Sequence, residues 1–128
     1  MNVSGLAHIG LFIKNLEETK KFYKDVLGFD LFGDFTFEDG TKICFAKAGT
    51  LEMELVELPV WEDRKDGLFD HVAIAVDDIY AAKAELEKKG CIFESDVVEN
   101  PGVHGGVRYV MFRGGPDNVR YELEQFGL

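Results

Sequence analysis

A chain of 128 residues, 46% of them hydrophobic, is long enough for one compact domain and too apolar to stay disordered. Its net charge of −10, from 14 basic and 24 acidic residues, repels a phosphate backbone and argues against nucleic acid as a partner. No apolar run reaches membrane-spanning length and no basic-then-apolar signal opens the chain, so the expectation is a cytoplasmic protein with no membrane partner. Cys44 and Cys91 form no CxxC pattern and read as reduced, buried small hydrophobes.

The first element, residues 6–13, reads as a buried strand that contains His8. Asn15, with Glu18 three residues on, is a capping-box candidate. Leu16, Thr19, Phe22, Tyr23, Val26 and Leu27 then recur at helical spacing, and Gly28 ends the helix. Strands are predicted over 29–37, 42–48 and 51–58, with Asp39-Gly40 as a turn. Residues 59–67, with Glu62-Asp63-Arg64-Lys65-Asp66, read as a charged linker.

The same grammar then returns. Residues 69–76 form a second predicted buried strand with His71 inside it, Asp77 and Asp78 are cap candidates, Ile79, Ala82 and Leu86 mark a helix face, and Gly90 stops it. Strands follow over 91–98, 107–113 and 119–126. The turn-rich loop 99–106 between two of them includes His104, an expected exposed loop residue whose alternative role is a substrate contact from a lid. His8 matches His71 at an offset of 63 (71 − 8), and Glu54-Leu55 matches Glu122-Leu123 at an offset of 68 (122 − 54). The expected organisation is α+β: two tandem βαβββ modules, 1–58 and 68–128, making an open eight-stranded, barrel-like metal cleft.

A lone histidine in a strand is ordinarily a core residue bonded to a backbone carbonyl. Two histidines at the same place in both halves point elsewhere. Alternation alone does not separate Glu54 from Glu52, or Glu122 from Glu124, because each pair shares a strand face. The repeat pairs Glu54 with Glu122, or Glu52 with Arg120, and only the first pairing keeps a carboxylate in both halves. Two imidazoles and two carboxylates suit Zn, Ni, Co, Mn or Fe(II), with room left in an octahedral shell for water or substrate. Phe12, Phe35, Phe37, Phe45, Trp61, Tyr109, Met111 and Phe112 are candidates to line an apolar cavity, though most read as plain core.

The segments LAHIGLFIKNLEETKKFYKDVLGF, FDHVAIAVDDIYAAKAELEKKG, GVHGGVRYVMFRGGPDN and YELEQF, in that order, resemble the vicinal oxygen chelate superfamily. Its members include glyoxalase I, methylmalonyl-CoA epimerase, extradiol dioxygenases and bleomycin or fosfomycin resistance proteins. The resemblance implies metal ligands at His8, Glu54, His71 and Glu122. It implies one divalent ion per site (Ni, Zn, Co or Mn). It also implies a lyase or isomerase of the glyoxalase I type, which abstracts a proton next to a carbonyl through an enediolate, with Glu122 as the catalytic base. The expected substrate is a small α-oxygenated carbonyl compound or a thiol adduct. The alternatives are an acyl-CoA epimerase and a ligand-sequestering resistance protein, the latter usually lacking the ligands.

Two departures bear on the co-substrate. Bacterial glyoxalase I typically carries an arginine four residues after its first histidine and an asparagine four residues after its first ligand glutamate; here those places hold Phe12 and Leu58. Both replacements speak against glutathione. The epimerase branch often pairs two histidines where this chain has Asp70-His71. Small relatives pair the first module of one chain with the second of its partner, so a homodimer is expected, each site built from His8 and Glu54 of one chain and His71 and Glu122 of the other. All four ligands in one chain is the alternative.

Overall fold

In this computed structural model residues 2, 6–63, 67, 69–103 and 105–128 are described; part of the expected linker and His104 therefore lie outside the described residues. The chain divides into two compact units, Met1–Asp63 and Arg64–Leu128.

In the first unit, β1 (Ile9–Phe12) is followed by α1 (Leu16–Lys21), which continues as one π-helical segment over Phe22–Val26. Asn15 caps the helix: its side-chain oxygen accepts from the Glu18 N–H at 3.0 Å. Gly28, at φ 74°, ends it, since an L side chain there would be strained. Three strands follow: β2 (Asp30–Thr36), β3 (Lys42–Ala48) and β4 (Leu51–Glu57), in the sheet order β1-β4-β3-β2. β1 runs parallel to β4, with Gly10 opposite Glu54, and the other pairings are antiparallel. Leu16 and Tyr23 of the helical segment are buried with Cys44, Ala46, Met53 and Leu55 of β3 and β4, and this is the core of the unit. Burying a large side chain such as Leu16, Met53 or Leu55 is worth about 1.5–3 kcal/mol.

The second unit repeats the plan. β5 (Val72–Ala75) leads to α2 (Ile79–Lys88), where Asp78 accepts from the N–H groups of Tyr80 and Ala81, each at 3.1 Å, and Gly90 (φ 92°) follows the helix end. Four strands follow: β6 (Ile92–Phe93), β7 (Val98–Asn100), β8 (Val107–Gly114) and β9 (Val119–Phe126). β5 runs parallel to β9, with Ala73 opposite Glu122, which is the pairing of Gly10 with Glu54 over again. Ile79, Leu86, Val110, Phe112, Tyr121 and Leu123 are its buried core, with Phe112 and Tyr121 stacked at 5.2 Å between ring centroids. Among the described residues no helix is long and apolar enough to cross a membrane.

Two sequence expectations are refined here. The single strand predicted over 91–98 is two short ones, β6 and β7, both paired to β8, with a bend between them; the second sheet therefore has five strands. The strands that follow the two histidines are not buried on both faces. In β1, Ile9 and Leu11 are half-buried while Gly10 and Phe12 are exposed, and β5 alternates in the same way. Their apolar composition misleads because the open face carries Gly10, Ala73 and Ala75, small residues that score as core residues but sit in the open.

The parallel pairing has a second signature. In each unit the last strand ends in a side chain that reaches the first N–H of the helix. Glu57 Oε1 accepts from the Leu16 N–H at 2.7 Å, and Gln125 Oε1 accepts from the Ile79 N–H at 2.9 Å. Both belong to the helix-facing half of their strand, with Met53 and Leu55 in one case and Tyr121 and Leu123 in the other. The opposite face of each last strand is left to Glu52 and Glu54, or Glu122 and Glu124.

Candidate metal centre

Each histidine stands one residue before its strand, His8 before Ile9 and His71 before Val72. The parallel register then lays that strand start beside the last strand, on the face turned away from the helix. In the first unit His8 Nε2 lies 3.8 Å from Glu54 Oε1. In the second His71 Nε2 lies 3.2 Å from Glu122 Oε2. The structure thus brings His8 together with Glu54, and His71 together with Glu122, one pair in each unit. Among the described residues no single group of three or more histidine, cysteine or acidic side chains is poised for a metal.

The surroundings of the two pairs differ. The His8 and Phe45 rings meet in a T-shaped arrangement, 5.8 Å between centroids, and Phe45 in turn stacks on Phe32. Phe12 and Phe35 are exposed and, by strand alternation, share this face, so the first pair sits beside an aromatic wall. Of the other aromatic candidates, Phe112 is core, and Trp61 donates its indole N–H to Asp63. In the second unit His71 Nδ1 is 2.8 Å from Asp70 Oδ2. A carboxylate only accepts, so Nδ1 carries a proton, and Nε2 is turned toward the Glu122 carboxylate. Arg120 contacts Asp70 as well and clasps Glu94 through two bonds of 2.9 Å. The bond from His71 and the charge of Arg120 hold the Asp70 carboxyl below its usual range. The alignment of Asp70-His71 with a histidine pair gave no hint of this; the signal was Arg120, which the parallel register sets beside the residues just before β5.

Burial pushes the Glu122 carboxyl up; the neighbouring His71 opposes this, and Glu124 adds to it. Glu124 is therefore no solvated bystander but part of the environment of Glu122.

The donor set suits a divalent cation. Ligands on adjacent corners of a shell with bonds of about 2.1 Å stand about 3 Å apart, and the His71–Glu122 separation of 3.2 Å is close to that. The His8–Glu54 pair is wider, at 3.8 Å. In each pair a ring nitrogen faces a carboxylate oxygen, and either a cation between them or a proton on the ring satisfies both.

The Glyoxalase/Bleomycin resistance protein/Dioxygenase superfamily model matches residues 5–123. Human mitochondrial methylmalonyl-CoA epimerase is 32% identical in a match covering 97% of this chain and 75% of its own. A probable lactoylglutathione lyase of Synechocystis sp. is 30% identical over 94% of each chain. Among solved structures, a glyoxalase family protein from Enterococcus faecalis superposes with a TM-score of 0.79 at 24% identity, covering 94% of this chain and 97% of its own. The fosfomycin resistance protein FosX of Listeria monocytogenes, solved with Mn(II) and sulfate, superposes at 0.72 and 19% identity, covering 99% and 96%. These two likenesses establish the fold alone.

Proposed function

This chain belongs to the Glyoxalase/Bleomycin resistance protein/Dioxygenase superfamily, and from that premise we propose that it is a divalent-metal-dependent lyase or isomerase of the glyoxalase I type, moving a proton next to a substrate carbonyl. The observation that carries this reading is the repetition of one imidazole and one carboxylate at equivalent places on the open face of both units. His8, Glu54, His71 and Glu122 would hold the ion. When bound it supplies Lewis-acid stabilisation of the negative charge that develops on the substrate oxygens. Glu122 takes the proton: its half-buried carboxyl, raised by burial, stands 3.2 Å from His71 Nε2, beside the place the ion would take. Phe12, Phe35 and Phe45 turn an apolar wall to the substrate, and nothing at Phe12 or Leu58 anchors a charged thiol carrier. The substrate is accordingly a small α-oxygenated carbonyl compound or its thiol adduct, with little preference for glutathione. Two copies assemble as a homodimer in this reading, each site taking one pair from each chain.

The second reading, an acyl thioester epimerase, uses the same proton abstraction. The apolar Phe12 wall and the 32% identity to human methylmalonyl-CoA epimerase favour it. One panel assay separates the two: metal-reconstituted protein with hemithioacetals of several thiols and with chiral acyl thioesters. Turnover of hemithioacetals without glutathione selectivity supports the first reading. Racemisation of a thioester with solvent deuterium uptake supports the second. Tight ligand binding without turnover overturns both and leaves a sequestering protein.

A further inference from the structure

The two half-sites are not built alike. At the repeat offsets, Asp70 corresponds to Ala7 and Arg120 to Glu52, so the chain Glu94–Arg120–Asp70–His71 has no counterpart beside His8. Arg120 spans two carboxylates: Nε and Nη2 go to the two oxygens of Glu94 at 2.9 Å each, and Nη1 goes to Asp70 Oδ2. A planar guanidinium held by that fork has little freedom. Asp70 Oδ2, thus fixed, accepts from His71 Nδ1 at 2.8 Å. His71 Nε2 then points at Glu122 Oε2.

We infer that Asp70, braced by Arg120 and Glu94, is a positioning residue for the second half-site: it locks His71 in the Nδ1–H tautomer with Nε2 free to ligate. The inference rests on the reading of His71 as a metal ligand, and it assigns the two halves different tasks. The second half-site is preorganised. The first, where His8 lies against Phe45 and Glu54 among the described residues, has its histidine and carboxylate further apart, at 3.8 Å. An outer carboxylate on a ligating histidine raises its donor strength and typically changes metal affinity 10–100-fold.

The test has two readouts. The first is the tautomer of the His71 ring in metal-free, ¹⁵N-labelled protein, from long-range proton–nitrogen correlations. The second is Zn(II) affinity by competition with a chromophoric chelator. The Asp70 side chain is 58% exposed, so its replacement leaves the core intact. Asp70→Ala moves His71 toward the Nε2–H tautomer and weakens Zn(II) about 10–100-fold. Asp70→Asn, which keeps a carbonyl acceptor at the same place, retains the Nδ1–H tautomer and most of the affinity. An unchanged tautomer in Asp70→Ala overturns the inference, as does a changed tautomer with unchanged affinity. A failure of the metal reading itself looks different: His71→Ala then binds Zn(II) like the parent, while the tautomer experiment still reports on Asp70.

Discussion

The link between the last strand and the helix start in the first unit sets a measurable stability. Glu57 Oε1 accepts the Leu16 N–H at 2.7 Å, and Leu16 is only 4% exposed, so little water is at hand to replace the carboxylate. A hydrogen bond to a charged group contributes about 1.5–3 kcal/mol. The negative charge at a helix N-terminus adds about 0.3–1 kcal/mol. The Lys42 ammonium, 3.9 Å from Oε2 and half exposed, adds about 0–1 kcal/mol and nearer the lower figure. Glu57→Ala is therefore expected to cost about 2–4 kcal/mol. Glu57→Gln keeps a neutral acceptor and should cost about 1 kcal/mol. Gln125→Ala, which removes a neutral partner of Ile79, should fall between about 1 and 2 kcal/mol. Urea unfolding followed by circular dichroism, with a common slope, measures all three. A cost below about 0.5 kcal/mol for Glu57→Ala, or equal costs for its Ala and Gln variants, refutes the assignment of a charged tether.

Four further outcomes are expected. Glu122→Gln lowers turnover by about 10²–10⁴-fold in a steady-state assay, because proton transfer is lost with the carboxylate. Glu124→Gln, which removes a neighbour that raises Glu122, shifts the acid limb of the rate profile toward lower pH instead. Cys44 is buried and its thiol is pushed up to about 11, and burial raises Cys91 too, so neither is alkylated by iodoacetamide at pH 8 until urea unfolds the chain; rapid labelling of the folded protein contradicts this. Gly33 sits at φ 72° in the β2 bulge, and a Cβ there would lie 3.0 Å from the Phe45 ring, so Gly33→Ala costs about 1–3 kcal/mol of stability and disturbs the wall beside His8.

Much of this architecture is legible in the sequence because it is written twice. Asn15 and Asp78 cap the two helices, Gly28 and Gly90 end them, and the 63- and 68-residue offsets single out the two His–Glu pairs that the structure brings together within each unit. What escaped depends on contacts between distant residues. The Glu57 and Gln125 tethers join positions 41 and 46 residues apart. The Asp70–Arg120 contact spans 50, and no local period marks either. The bend that splits 91–98 falls in Ser95-Asp96, where polar residues interrupt a β-rich run, and the π-helical segment over Phe22–Val26 leaves no compositional mark.

If the two His–Glu pairs share one ion, metal stoichiometry will show it. Protein loaded with Zn(II) or Ni(II), freed of excess metal and assayed by mass spectrometry, is expected to hold one ion per chain, and His8→Ala and His71→Ala are each expected to lose it while remaining folded. Two ions per chain, with each histidine variant keeping one, would mean that the half-sites act separately and would contradict the account.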